Sequence, residues 1–139
     1  DFTHHPSYIN SMIEAMCDNH VVIGSRHEKR DSIKSWPLFR KLMTQSAYFF
    51  TKNLLKINFD ATSGFRLYNL RKINPNFFNN TKSKGYSFFI ETAFKFNKTL
   101  NIKTLPIDMP IRFAEKSKME IKDMITTVLL MIKLFFKKF

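Results

Sequence analysis

Val21-Val22-Ile23, closed by Gly24, is the segment that most restricts how this chain folds. A run that is apolar at every residue suits a strand covered on both faces, and such strands belong to parallel sheets flanked by helices. The glycine predicts that the strand ends by opening into a loop. Pro6 stands where the first turn of a helix accepts proline, and Ile9, Met12, Ile13 and Met16 follow it at helical spacing. Residues 25–35 are polar and aperiodic and read as a surface loop. Ser35-Trp36-Pro37 predicts the opening of a second helix reaching about Lys56, with Leu38, Leu42, Phe49, Leu54 and Leu55 on its buried side. Residues 63–69 read as a strand after a turn, and Asn74-Pro75-Asn76 breaks the chain again. A third helix over residues 87–100 is expected to bury Phe89, Ala93 and Phe96. Residues 102–107 read as a strand, which Pro106 and Pro110 confine to a sheet edge or to irregular structure.

The most periodic segment is the last, residues 120–139. Ile121, Met124, Ile125, Val128, Ile132, Phe135, Phe136 and Phe139 share one helical face, while Lys122, Asp123, Thr126, Lys133 and Lys137 fall elsewhere. Its uncharged run, residues 124–132, is far short of the roughly 20 residues that a spanning helix needs. A broad apolar face with terminal lysines suits a helix lying in a membrane interface; the alternative is a terminal helix packed on the core. The net charge of +12 admits three partners: nucleic acid, an anionic membrane surface or a phosphate-rich substrate. No RNA-binding aromatic motif, zinc-ligand spacing or helix-turn-helix pattern is present, so nucleic acid is not expected. The single cysteine, Cys17, has no internal disulfide partner. It ends an apolar helical pattern and is read as structural, in a reduced, cytosol-facing setting.

Glycine is scarce here: 3 residues in 139, so each is expected where the backbone needs a positive φ or a close approach. They fall in Val-Ile-Gly-Ser-Arg at 22–26, in Asp-Ala-Thr-Ser-Gly-Phe-Arg-Leu-Tyr at 60–68 and in Ser-Lys-Gly-Tyr-Ser-Phe-Phe-Ile-Glu at 83–91. Each is within two residues of an Arg or Lys, and glycine beside a cation at the end of an element is a common phosphate cradle. With Asp-Phe-Thr-His-His-Pro at 1–6, Trp36-Pro37 through Arg40-Lys41, and Pro106-Ile107 through Ser117-Lys118-Met119, these stretches resemble, in order and spacing, six motifs of the polyprenyl-phosphate (dolichyl-phosphate) mannosyltransferases of glycosyltransferase family 2.

The resemblance implies an α/β fold of partial GT-A (Rossmann-like) type, lacking its N-terminal βα units. Residues 1–119 would form the C-terminal part of the catalytic domain and residues 120–139 the interface helix. It also implies inverting transfer of a hexose, foremost mannose from GDP-mannose, to a polyprenyl or dolichyl phosphate at the cytoplasmic face of a membrane, by a peripheral or monotopic protein; the alternatives are a related family 2 transferase with another sugar or acceptor, or a non-catalytic basic membrane-binding module. A nucleoside diphosphate leaves, so a divalent ion, Mg²⁺ or Mn²⁺, is expected, with Asp1 as a ligand. The acceptor, a phosphate monoester largely ionised at neutral pH, needs docking cations more than a general base. Arg26, Arg40 and Arg66 are the expected cations, since guanidinium suits two-pronged phosphate contacts. Asp60 and Arg26 are the expected catalytic pair, with Asp60 orienting an arginine, placing the acceptor or capping the turn at Thr62 and Ser63. Thr44, Ser63, Gly64, Lys84, Glu91, Ser117 and Lys118 complete the expected substrate-binding set, Thr44 through sharing a helix face with Arg40 and Glu91 through pairing with an arginine. Since the motif carrying Asp1 would begin upstream of it, the chain is expected to be inactive by itself.

Overall fold

The computed structural model describes residues 4–110 and 120–137. The elements run α1 (Tyr8–Glu14), β1 (Val21–Ser25), α2 (Leu38–Asn53), β2 (Arg66–Tyr68), α3 (Asn76–Asn79), α4 (Tyr86–Thr99), β3 (Ile102–Pro106) and α5 (Ile121–Lys137). The three strands form one mixed sheet in the order β2-β1-β3. The apolar run is its centre: β1 is buried along all five residues. It pairs antiparallel with β2, Val21 opposite Tyr68 and Ile23 opposite Arg66. It pairs parallel with β3, Val21 opposite Ile102 and Ser25 opposite Pro106. β3 thus takes the edge position that its prolines require.

Side chains alternate across a strand, so β1 serves two cores. Val21 and Ile23 meet Leu55, Ile57, Phe59, Ile90, Ala93, Phe96, Met131 and Leu134 in the larger one. Phe96 anchors it with no exposed surface, stacked on Phe77 at 5.1 Å and tilted against Tyr68 at 5.8 Å. Burying a side chain of this size is worth roughly 1.5–3 kcal/mol. The smaller core gathers Ile33, Trp36, Ile107 and Met109. Gly24 lies on that side, and a Cβ there would stand 2.8 Å from a Phe65 ring carbon, so a larger residue would require that ring to shift.

Residues 25–35 are therefore not wholly a surface loop. Ser32, Ile33 and Trp36 turn inward, and the Trp36 indole donates to the Met109 carbonyl at 2.9 Å. The apolar pattern promises them no place, but the segment after β3 offers both apolar contacts and acceptors.

One helical face departs from the sequence reading, and another divides between its two alternatives. In α2, Leu38, Leu42 and Phe49 are exposed, at 72%, 53% and 61%, whereas Leu55 just beyond the helix is buried as expected. The helix turns its mostly polar stripe inward, Arg40, Thr44, Ala47, Tyr48 and Thr51, at i, i+4, i+7, i+8 and i+11. In α5 the expected face divides. Met124 and Phe135 are half-buried, while Ile121, Ile125, Val128, Ile132 and Phe136 are exposed, joined by Leu129. The buried residues are instead Thr127, Met131 and Leu134, and Thr127 meets Ser87 of α4 at 3.3 Å between hydroxyl oxygens. The apolar arc of α5 is wider than one packing face, so the helix both seals the core and leaves a stripe exposed among the described residues. Phe139 lies outside the described residues. In α4, Ala93 and Phe96 are buried as expected, whereas Phe89 is half-buried. Cys17, read as structural, is exposed in the turn after α1.

A candidate functional site at the end of the central strand

In open α/β sheets, ligands collect beyond the carboxyl ends of the strands. The chain leaves β1 at Ser25, and Arg26 follows at once. The loop before β2 brings Asp60 to the same point. The Arg26 guanidinium grips the Asp60 carboxylate on both oxygens, Nε to Oδ2 at 2.7 Å and Nη2 to Oδ1 at 2.8 Å, and the Arg26 backbone N–H adds a bond to Oδ2 at 3.3 Å. Thr62 shares the site: its hydroxyl accepts from Arg26 Nη2, and its N–H donates to Asp60 Oδ1 at 3.2 Å. Asp60 thus does two of the three things expected of it, orienting an arginine and capping the turn.

Asp60 is 1% exposed, and burial alone would raise its pKa. The Arg26 charge and hydrogen bonds, helped by His27, outweigh burial and hold it at about 2. The carboxylate is therefore ionised throughout the neutral range.

His27 was not foreseen. Its ring lies flat against Tyr48, 4.0 Å between centroids, and its Nε2 is buried without a hydrogen-bond partner, 3.8 Å from Asp60 Oδ2. Burial lowers its pKa and the Arg26 charge adds to this, while Asp60 pulls the other way. Tyr48 was legible as the next step, at i+4, of the stripe that holds Arg40 and Thr44. Nothing in the pattern singles out His27.

Arg66 is drawn inward rather than presented to a ligand. It donates to the carbonyls of Ser63 (2.8 Å), Ala61 (2.9 Å) and Phe89 (3.0 Å) and to the Thr92 hydroxyl (2.9 Å). In this structure it is a strut that ties the loop carrying Asp60 to α4. Ser63 is buried, and Gly64 fits against Phe89, whose ring would lie 3.2 Å from a Cβ at that position. Arg40 stands over the Trp36 ring at 3.6 Å, with Thr44 half-buried one turn on.

Glu91 pairs with a lysine, not an arginine. It accepts the N–H groups of Lys82 (3.3 Å) and Ser83 (2.8 Å) and lies 3.5 Å from Lys95. Burial opposes ionisation, but these hydrogen bonds and Lys95 hold its pKa below the usual value. Glu91 thereby fixes the loop on which Lys84 stands exposed, and Gly85 ends that loop at φ 57° and ψ −136°, a conformation open to glycine.

Asp1, Ser117 and Lys118 lie outside the described residues. Among the described residues no group of three His, Cys, Asp or Glu side chains is placed to hold a metal ion. Asp60 is committed to Arg26, so it offers no ready ligand.

No protein-family model matches the chain. Curated proteins do. The chain is 28% identical over 123 residues to an undecaprenyl-phosphate mannosyltransferase of Micrococcus luteus, covering 88% of this chain and 49% of that protein. It is 25% identical over 118 residues to a polyprenol monophosphomannose synthase of Mycolicibacterium smegmatis, covering 84% and 43%. The chain spans about half the length of the curated relatives it matches. The likeness read from six ordered motifs and the likeness found along the whole alignment agree: over most of its length this chain resembles the polyprenyl-phosphate mannosyltransferases of glycosyltransferase family 2.

Proposed function

We propose that this chain forms the acceptor side of a GT-A-type inverting glycosyltransferase that moves mannose from GDP-mannose to a polyprenyl or dolichyl phosphate at a membrane surface. The observation that carries the reading is the Arg26–Asp60 pair at the carboxyl end of β1. A bare arginine side chain samples many rotamers. One held on both carboxylate oxygens is pre-organised, and positioning of this kind is what a phosphate acceptor requires. Its Nη1 makes no hydrogen bond among the described residues and is the group that first meets the acceptor, before the rest of the guanidinium is drawn to it. Arg40, Thr44 and Lys84 supply further acceptor contacts in this reading. Ser63, Gly64 and Glu91 shape the loops that carry them, and Ser117 and Lys118 extend the same side.

An acceptor oxygen that is already anionic attacks the sugar carbon from the face opposite the leaving diphosphate, which inverts that carbon. Asp60 takes no proton in this scheme; with a pKa of about 2 it is too weak a base, and its work is to hold Arg26 in place until the acceptor arrives. Mg²⁺ or Mn²⁺, bound with Asp1, would neutralise the leaving diphosphate. The described residues supply no ligand cluster for it. Among the described residues no helix is long and apolar enough to cross a membrane. The exposed stripe of α5 supports a place in a membrane interface, which this reading assigns to the cytoplasmic face.

Flotation with neutral vesicles, plain or carrying a few per cent dolichyl phosphate, tests the reading. Dolichyl phosphate is expected to increase binding several-fold, and Arg26→Gln to remove the increment while leaving binding to plain vesicles unchanged. Equal binding to both vesicles, or an increment that survives Arg26→Gln, overturns the acceptor-site assignment.

A further inference from the structure

Asp60 is a buried carboxylate with two basic neighbours, and only one of them is in contact. Arg26 holds both its oxygens, while His27, 10% exposed, points Nε2 at Oδ2 from 3.8 Å, beyond the roughly 3.2 Å limit of a hydrogen bond. A buried polar atom without a partner is rare and calls for a reason. Here a reason lies in what must happen if Arg26 engages an anion. A guanidinium fully turned to a phosphate would abandon a carboxylate that is 1% exposed, and an unpaired buried charge is strongly disfavoured. Arg26 is free to turn only if another cation takes its place.

We propose that His27 is that replacement: when Arg26 turns from Asp60 to a phosphate-type dianion, His27 takes one proton from solvent, closes on Asp60 Oδ2 and becomes the counter-ion of the carboxylate. The inference rests on the reading of Arg26 as the phosphate-docking residue and adds a positioning residue to it. The groups facing the imidazole agree with this role. Asp60 attracts a proton to it, Arg26 opposes one while it stays in contact, and Tyr48 stacks on the ring and keeps its edge toward the carboxylate. Lys52 lies farther out, 5.7 Å from the Tyr48 ring centroid, and Arg66 interacts electrostatically with Asp60 from the other side of the loop. Once Arg26 leaves the pair, the pull of Asp60 is opposed only by burial, and an arriving dianion adds to it. Anion binding is therefore coupled to proton uptake and strengthens as pH falls through the ordinary imidazole range, near 6.5.

Sulfate is a suitable probe, because it is a dianion that does not itself titrate near neutral pH. The His27 ring resonance of the full chain, assigned by its loss in His27→Phe, is followed against pH with and without saturating sulfate. The titration midpoint is expected to rise by about one pH unit. Sulfate affinity of the unaltered chain is expected to tighten about threefold from pH 8 to pH 6, and less than about 1.5-fold in His27→Phe and His27→Gln. An unmoved midpoint, or the same pH dependence in both variants, overturns the inference even if Arg26→Gln abolishes sulfate binding. Sulfate binding that is absent, or indifferent to Arg26→Gln, overturns the inference together with the acceptor-site reading beneath it.

Discussion

Asp60 shows how one side chain can set a site and also tie stability to pH. Its pKa is about 2 in the fold against an ordinary 3.8, so the folded state holds it ionised more firmly than the unfolded chain does. The stabilisation is complete above about pH 4 and is lost as pH falls toward 2. It amounts to about 2 kcal/mol. Asp60→Asn is expected to destabilise the chain by about 2–4 kcal/mol at pH 7, because Arg26 keeps its charge without its partner. Urea midpoints measured from pH 5 to pH 2 should then fall less steeply than in the unaltered chain. Arg66 makes the contrasting case. Arg66→Met should cost about 3 kcal/mol in urea unfolding, since it strands the carbonyls of Ser63, Ala61 and Phe89 in a crowded loop. Gly85→Ala should cost about 1 kcal/mol in the same assay, from its positive φ alone, because a Cβ there meets nothing within 4 Å. All three residues stood out in the sequence as parts of glycine-and-cation motifs. Their separate roles did not: whether a guanidinium faces a carboxylate or a set of carbonyls depends on which loops meet.

Helices α2 and α5 hold the lesson at the next scale. Period 3.6 identified both; in α2 it misjudged which stripe is buried, and in α5 it left open whether the apolar face meets a membrane or the core. An apolar stripe shows that something apolar covers it, not that the covering is this chain. In α5 the two sectors can be separated by experiment. Met131→Ala, on the packed side, should cost about 2–4 kcal/mol in thermal or urea unfolding. Ile125→Ser, on the exposed side at 56%, should change stability by less than about 0.5 kcal/mol but reduce vesicle binding several-fold. If Ile125→Ser unfolds the chain as Met131→Ala does, the stripe belongs to the core after all. The strands were more legible, because β1 and β3 lie side by side and their apolar content and prolines are read locally. The short helix α3, Asn76–Asn79, lies where the sequence suggested only a chain break, since one turn of helix is too short to show a period.

For the whole molecule, the proposed place at a membrane surface calls on the net charge of +12 and the exposed stripes of α2 and α5 together. Binding to vesicles rich in anionic lipid should weaken as salt rises from 50 to 500 mM, because screening shortens the reach of the lysines, while a residual, salt-resistant part should require the stripe of α5. Co-sedimentation across that series, with residues 1–139 beside residues 1–118, measures both parts; equal residual binding by the two would remove α5 from the interface. The sequence by itself determined the alternation of helix and strand, the buried central strand, the six ordered motifs and, through them, the likeness to polyprenyl-phosphate mannosyltransferases. These depend on neighbours a few residues apart, or on order along the chain. Three-dimensional contacts alone reveal that Arg26 grips Asp60 while Arg66 is a strut, and that His27 stands beside Asp60 without a hydrogen-bond partner. Arg26 and Asp60 are 34 residues apart, and their contact exists only because β1 and the loop before β2 end at the same point of the sheet.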